Sequence, residues 1–148
     1  MIGKLDLTAA NAAASKLGAS MKKQDHVNGK LGIVGFCWGG AFVNRFAVSA
    51  GSGLDAGVSY YGSAPDPAEA VKVKAPLMLH YAGLDKRVAQ TGEPWAAALK
   101  AAKKDVTAYT YPGVDHAFNN DTSKERYNKV AADLAWDRTV AFFHKHLD

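Results

Sequence analysis

Residues 31–40 constrain the fold more than any other stretch. The apolar run Leu31-Gly32-Ile33-Val34 leads directly into Gly35-Phe36-Cys37-Trp38-Gly39-Gly40. Such a run, bounded by small residues, reads as a buried strand followed by a turn and the start of a helix. Cys37 stands at the tip of that turn, two residues after Gly35 and two before Gly39. The spacing is that of a nucleophile elbow, with sulfur where a serine hydroxyl is usual. The glycines are expected for steric reasons, because side chains at both flanking positions would strike strand or helix.

The remaining chain alternates strand and helix. Strands are expected at 31–34, 56–61, 77–81 and 106–111, and helices at 7–17, 40–50, 66–71, 91–104 and 124–147. Thr8 is expected to cap the first helix and Gly18 to stop it. Helical spacing assigns core faces to Phe42, Phe46 and Ala50, then to Trp95, Leu99 and Ala102. On the last helix it assigns Tyr127, Val130, Ala131, Leu134 and Ala141. The alternation predicts an α/β fold of about four parallel strands with helices on both faces. One domain over residues 1–148 is expected, with 1–30 as a helix and approach segment before the nucleophile strand. Ligands of such sheets bind outside the carboxyl ends of the strands. Cys37, Asp85 and His116 each follow a different strand at that edge. The connection over residues 61–76 is too short for an added lid domain, so an open site is expected.

Composition narrows the function. The chain is 48% apolar and 22% charged with a net charge of +4, and its lysines are scattered rather than set in a stripe with aromatics. That argues against nucleic-acid binding. No apolar run approaches the roughly 18 residues a membrane span needs. One cysteine among 148 residues excludes an internal disulfide and a thiolate metal cluster. No set of His, Asp and Glu has metal-ligand spacing, so no metal is expected. A cytoplasmic location is expected, where a lone thiol stays reduced.

A cysteine attacks carbonyl carbon as thiolate. The N-terminus of the following helix points at the sulfur, and His116 is placed to take its proton. Asp85 would hold the imidazole tautomer, and the backbone N–H of Trp38 is an expected oxyanion donor. Asp115 and Asp105 are rival acids, the first aimed elsewhere beside the histidine and the second at the wrong end of its strand. His80 reads as packed within a strand. His26, His144 and His146 read as solvated. Tyr60, Tyr61, Lys86 and Arg87 are candidate substrate contacts, the two cations for a carboxylate.

Gly35-Phe36-Cys37-Trp38-Gly39-Gly40-Ala41 closely resembles the elbow of the dienelactone hydrolase (carboxymethylenebutenolidase) family, which has the α/β-hydrolase fold. The resemblance continues through Tyr60-Tyr61-Gly62, His80-Tyr81-Ala82-Gly83-Leu84-Asp85, Tyr111-Pro112-Gly113, His116-Ala117-Phe118 and Trp136. It implies a Cys37–His116–Asp85 triad that hydrolyses small esters or lactones, such as dienelactones, through an acyl-cysteine, without cofactor. Family members carry more strands and helices upstream of the elbow, where this chain has about thirty residues. The resemblance therefore covers the family's C-terminal part, a truncated α/β-hydrolase. It places a second oxyanion donor, a glutamate and an arginine in the upstream part. A second family arginine, after the histidine, gives way here to Phe118-Asn119-Asn120. The strand at 31–34 then becomes an apolar sheet edge, which is a template for association. A homodimer pairing two such edges about a two-fold axis is expected. The alternative reading is a weakly active or inactive half-domain acting in assembly or binding, or a truncated gene product.

Overall fold

Four strands, β1 (Gly32–Phe36), β2 (Ala56–Tyr60), β3 (Leu77–Ala82) and β4 (Val106–Tyr111), form one sheet in that order. The computed structural model describes residues 6–148. Every neighbouring pair is parallel, with Val34 opposite Val58, Val58 opposite Met78 and Met78 opposite Thr107. Helices α1 (Leu7–Met21), α2 (Trp38–Ser49), α3 (Lys86–Ala101) and α4 (Lys129–Leu147) and two short 3-10 helices, at Gly51–Gly53 and Pro67–Lys72, complete the architecture, the second standing where a helix is expected at 66–71. The expected α/β fold of four parallel strands is what the structure has.

The two central strands owe their place to composition. Every residue of β2 and β3 is buried, as continuous apolar runs covered on both faces require. Leu77, Leu79 and Tyr81 pack on one face against Phe46 of α2 and Val88, Trp95 and Leu99 of α3. Val58, Tyr60 and Met78 pack on the other against Ala135 and Phe142 of α4 and against Phe118. Among the described residues β1 has a strand partner on one side only. Val34 and Phe36 on it are each more than a third exposed.

Several expected details differ. Asp6, not Thr8, caps α1, its Oδ1 accepting the N–H groups of Thr8 and Ala9. The helix runs through Gly18, which is buried within it. Helix α3 begins at Lys86 rather than Thr91, because Asp85 caps it with a hydrogen bond from the Val88 N–H at 3.1 Å. Asn128 caps α4, which therefore starts at Lys129 rather than Lys124. On α2 the buried face is Val43, Phe46 and Ala47, with Phe42 half-buried against Trp38. The core face of α4 is Ala131, Ala132, Ala135, Thr139 and Phe142. Of the residues expected there Val130 is 79% exposed and Leu134 43%. Small side chains let this helix lie close on the sheet, and large apolar ones on the neighbouring face face outward.

Beneath α4 lies a closed polar network. His80 is fully buried, with Nδ1 2.9 Å from the Tyr111 hydroxyl and Nε2 3.1 Å from Thr139 Oγ1. Thr139 Oγ1 donates to the Ala135 carbonyl and so accepts from both His80 Nε2–H and the Tyr60 hydroxyl. The Tyr111 hydroxyl accepts from Arg138 Nη1 at 3.1 Å and donates to His80 Nδ1. The network therefore assigns His80 as the neutral Nε2–H tautomer. Burial, and then the Arg138 charge, push its pKa from the ordinary 6.5 down to about 3. As expected from its position in a strand, His80 is a packed residue.

Candidate active site

Three connections at the carboxyl edge of the sheet deliver the site. The first is the turn from β1 to α2. Cys37 sits at φ 55° and ψ −116°, a sparsely populated conformation, and forms the N-cap of α2. Its N–H donates to the Tyr60 carbonyl at 3.0 Å and its carbonyl accepts from Ala41, so the turn is held from both sides. Gly35 is obligatory at this crossing, since a Cβ there would collide with the Gly39 carbonyl. Gly39 is not: a Cβ there would meet nothing within 4 Å, contrary to expectation. The thiol is exposed.

Asp85 follows β3 and His116 follows β4. His116 Nε2 lies 3.2 Å from Cys37 Sγ, and His116 Nδ1 lies 2.5 Å from Asp85 Oδ2. The Asp85 carboxylate divides its oxygens, Oδ1 capping α3 and Oδ2 meeting the imidazole. Its side chain is 6% exposed and that of His116 18%, so the imidazole–carboxylate contact is shielded while the sulfur side is open. Asp115 accepts the backbone N–H of His116, and Asp105 precedes β4 at the opposite end of the sheet. Neither competes for the imidazole. Trp38 is the first residue of α2, so its N–H has no acceptor within the helix and lies beside Cys37.

A cavity of about 390 Å³ opens next to the sulfur, lined by Phe36, Cys37, Tyr61, Ala117, Asn119 and Asn120. Of the four expected substrate contacts, only Tyr61 is in this wall. Tyr60 has 0% exposure and its hydroxyl is bonded to Thr139, which places it behind the site. Lys86 and Arg87 occupy the exposed first turn of α3 outside the wall, with Arg87 Nη1 3.4 Å from Ser63 Oγ. The Tyr61 ring lies 4.8 Å from that of His116, and its hydroxyl donates to Asn119 Oδ1. Burial, with Cys37 and Tyr60 adding to it, raises the Tyr61 pKa well above that of an ordinary phenol. Phe36 and Ala117 were not singled out from sequence as wall residues. Phe36 directly precedes Cys37 and could have been placed by its neighbour, whereas Ala117 carries no chemical signal.

Sheet order, elbow and the acid–histidine sequence along the chain define an α/β-hydrolase-type fold with a thiol at the tip of the elbow. The model of the dienelactone hydrolase family matches residues 3–147, and the chain belongs to that family. It is 37% identical over 117 residues to a provisionally named carboxymethylenebutenolidase from Saccharolobus solfataricus, covering 78% of this chain and 44% of that protein. A second relative of the same provisional name, from Azospirillum brasilense, is 44% identical over 105 residues, covering 69% and 45%. The chain thus spans about half the length of the curated relatives it matches. Among solved structures, a provisionally named dienelactone hydrolase from Klebsiella pneumoniae superposes with a TM-score of 0.88 at 27% identity, over 99% of this chain and 65% of that one.

Proposed function

We propose that this chain hydrolyses small esters or lactones by nucleophilic catalysis at Cys37. The observation that carries the reading is the continuous line from Cys37 Sγ through His116 to Asp85, with contacts of 3.2 and 2.5 Å. His116 Nε2 takes the thiol proton as Sγ attacks the ester carbonyl carbon, and the carbonyl oxygen becomes an oxyanion beside the Trp38 N–H. Asp85 Oδ2 stabilises the imidazolium and keeps Nδ1 protonated. Collapse of the tetrahedral species breaks the acyl–oxygen bond, and His116 returns its proton to the departing alkoxide, leaving an acyl-cysteine. Water, deprotonated by the same nitrogen, then attacks the acyl carbon and releases acid and free thiol. In a lactone the alkoxide stays tethered to the acyl group. The names of the relatives support this substrate class.

A second reading favours a role in assembly, and it rests on the partly exposed apolar residues of β1. Assays with p-nitrophenyl acetate and a small lactone separate the two. Wild type is expected to turn over and Cys37→Ala to fall to the background rate. Equal background rates in both proteins refute catalysis.

A further inference from the structure

An edge strand normally carries a charge, a proline or a bulge that discourages pairing. β1 has none of these: residues 31–44 contain no charge and no proline, and the strand keeps an unbroken register with β2. Its backbone groups alternate in direction. The Leu31 carbonyl accepts from the Ala56 N–H at 3.3 Å, and the Cys37 N–H donates to the Tyr60 carbonyl at 3.0 Å, so both residues turn toward β2. Alternation therefore turns the N–H and C=O of Gly32, Val34 and Phe36 the other way, where no strand lies among the described residues. These three positions are symmetric about Val34. An antiparallel copy of β1 with Val34 opposite Val34 sets Gly32 opposite Phe36, and each outward N–H then meets a C=O. The flanking helix fits the same axis. A Cβ at Gly32 would meet Leu147 and Phe143, which fixes the last turn of α4 over that end of β1. Trp136 and Val140 continue this stripe at helical spacing and are exposed. With rises of about 1.5 Å per helical residue and 3.3 Å per strand residue, Val140 lies level with Val34 and Trp136 with Phe36. The two-fold sets Val140 against Val140, and Trp136 and Asp137 across from Phe143 and His144. The Asp137 carboxylate thus faces a residue that carries positive charge when protonated, and the two α4 dipoles run antiparallel. On the other face, Gly18 of α1 packs on Leu31, and Leu17 beside it is exposed. Leu17 projects opposite to Ser15 and Ala19, which border α2. These side chains and the strand backbone offer a patch on the order of the roughly 800 Å² per partner that a specific interface buries.

We propose that two copies of this chain join through β1, antiparallel about a two-fold axis at Val34, and that the last turn of α4 in each copy walls the Cys37 cavity of the other. Phe36 lines that cavity. The pairing lays the partner's Gly32 beside Phe36, with the partner's Phe143 and Leu147 over it, so the side of the cavity that opens on the sheet edge is narrowed. The inference deepens the assembly reading of β1 and is independent of ester hydrolysis.

Light scattering of the full chain at micromolar concentration should report a dimer. In a Cys37→Ser background, Val34→Cys should oxidise to a covalent dimer, because the axis holds the paired Cα atoms about 5.5 Å apart, within disulfide reach. Val130→Cys, on an exposed face of α4 away from the axis, should cross-link far more slowly at the same concentration. Cys37 is the chain's one cysteine, so iodoacetamide labelling followed by intact mass reads the cavity without turnover. The wild-type dimer should label severalfold more slowly than Val34→Lys and Val34→Asp, both expected to be monomers. A mere charge effect on the thiol would move these two variants in opposite directions. Thermal unfolding of each variant confirms that it is folded. A wild-type monomer, or a dimer in which Val34→Cys cross-links no faster than Val130→Cys, overturns the pairing. A dimer that labels as fast as both monomers overturns the shared cavity. Turnover of p-nitrophenyl acetate enters none of these outcomes, so the hydrolase reading and this inference fail separately.

Discussion

Lowering the pH from 7.5 to 5 should destabilise this protein through one buried side chain, His80. In the folded state both imidazole nitrogens are engaged, Nδ1 as acceptor from Tyr111 and Nε2 as donor to Thr139. A proton on Nδ1 would turn the Tyr111 hydroxyl into an acceptor from both His80 and Arg138, leaving its own proton without a partner in a buried site. The folded pKa, about 3, lies below the ordinary 6.5. Stability is therefore complete above about pH 6.5 and declines as the unfolded chain takes up a proton that the folded chain refuses. The decline continues until the pH reaches the folded value. At pH 5 the loss is about 2 kcal/mol, roughly a thirtyfold rise in the unfolding constant. This figure needs only a folded value well below 5. Urea denaturation followed by tryptophan fluorescence at both pH values measures it. His80→Gln is the control, since a carboxamide can accept from Tyr111 and donate to Thr139 without titrating. The other histidines contribute equally to both proteins, so the wild type should lose about 2 kcal/mol more than the variant. Equal losses refute the argument.

Two other predictions test the site and the sheet edge. Asp85→Asn retains a good N-cap, so its melting temperature should stay close to wild type while ester hydrolysis falls roughly a hundredfold or more. Asp85→Ala should lose the same activity and, in addition, about 1 kcal/mol of stability in denaturant titrations. If two chains join their β1 edges, light scattering should report a dimer that Val34→Lys converts to monomer. A wild-type monomer with freely exchanging β1 amides contradicts that pairing.

What the sequence made legible follows from physical causes. The four strands could be read because continuous apolar runs between turn residues have few other uses. Cys37, Asp85 and His116 could be found because each ends a strand connection at one edge of the sheet. The start of α3 was missed because Lys86-Arg87-Val88-Ala89-Gln90 shows no apolar period, and the helix begins there through a cap bond from Asp85. On α4 Ala131 is on the buried face as expected, but Val130 and Leu134 are not, because the small side chains beside them are what permit close packing on the sheet. Adjacency to Asp85 along the chain suggests Lys86 and Arg87 as site residues, but the first turn of α3 carries them outside the cavity wall. The asparagines gave their positions away as a departure from the family pattern. Their hydrogen bonds, to Tyr61 and to Thr122, are contained in no linear reading.

The divided carboxylate of Asp85 bears on how descendants of such a chain would change. If the chain hydrolyses esters as proposed, a lineage released from that selection would still suffer on replacing this acid with alanine or leucine, because α3 would lose its cap. Cys37 has no such second tie: its positive φ is strained for any side chain, and glycine would relieve the strain. Drift would therefore erase the sulfur first and keep a capping residue, whether aspartate, asparagine or serine, longest at position 85. A relative with glycine at the elbow tip and aspartate still in place would be a silent descendant, and its aspartate would be no witness to chemistry.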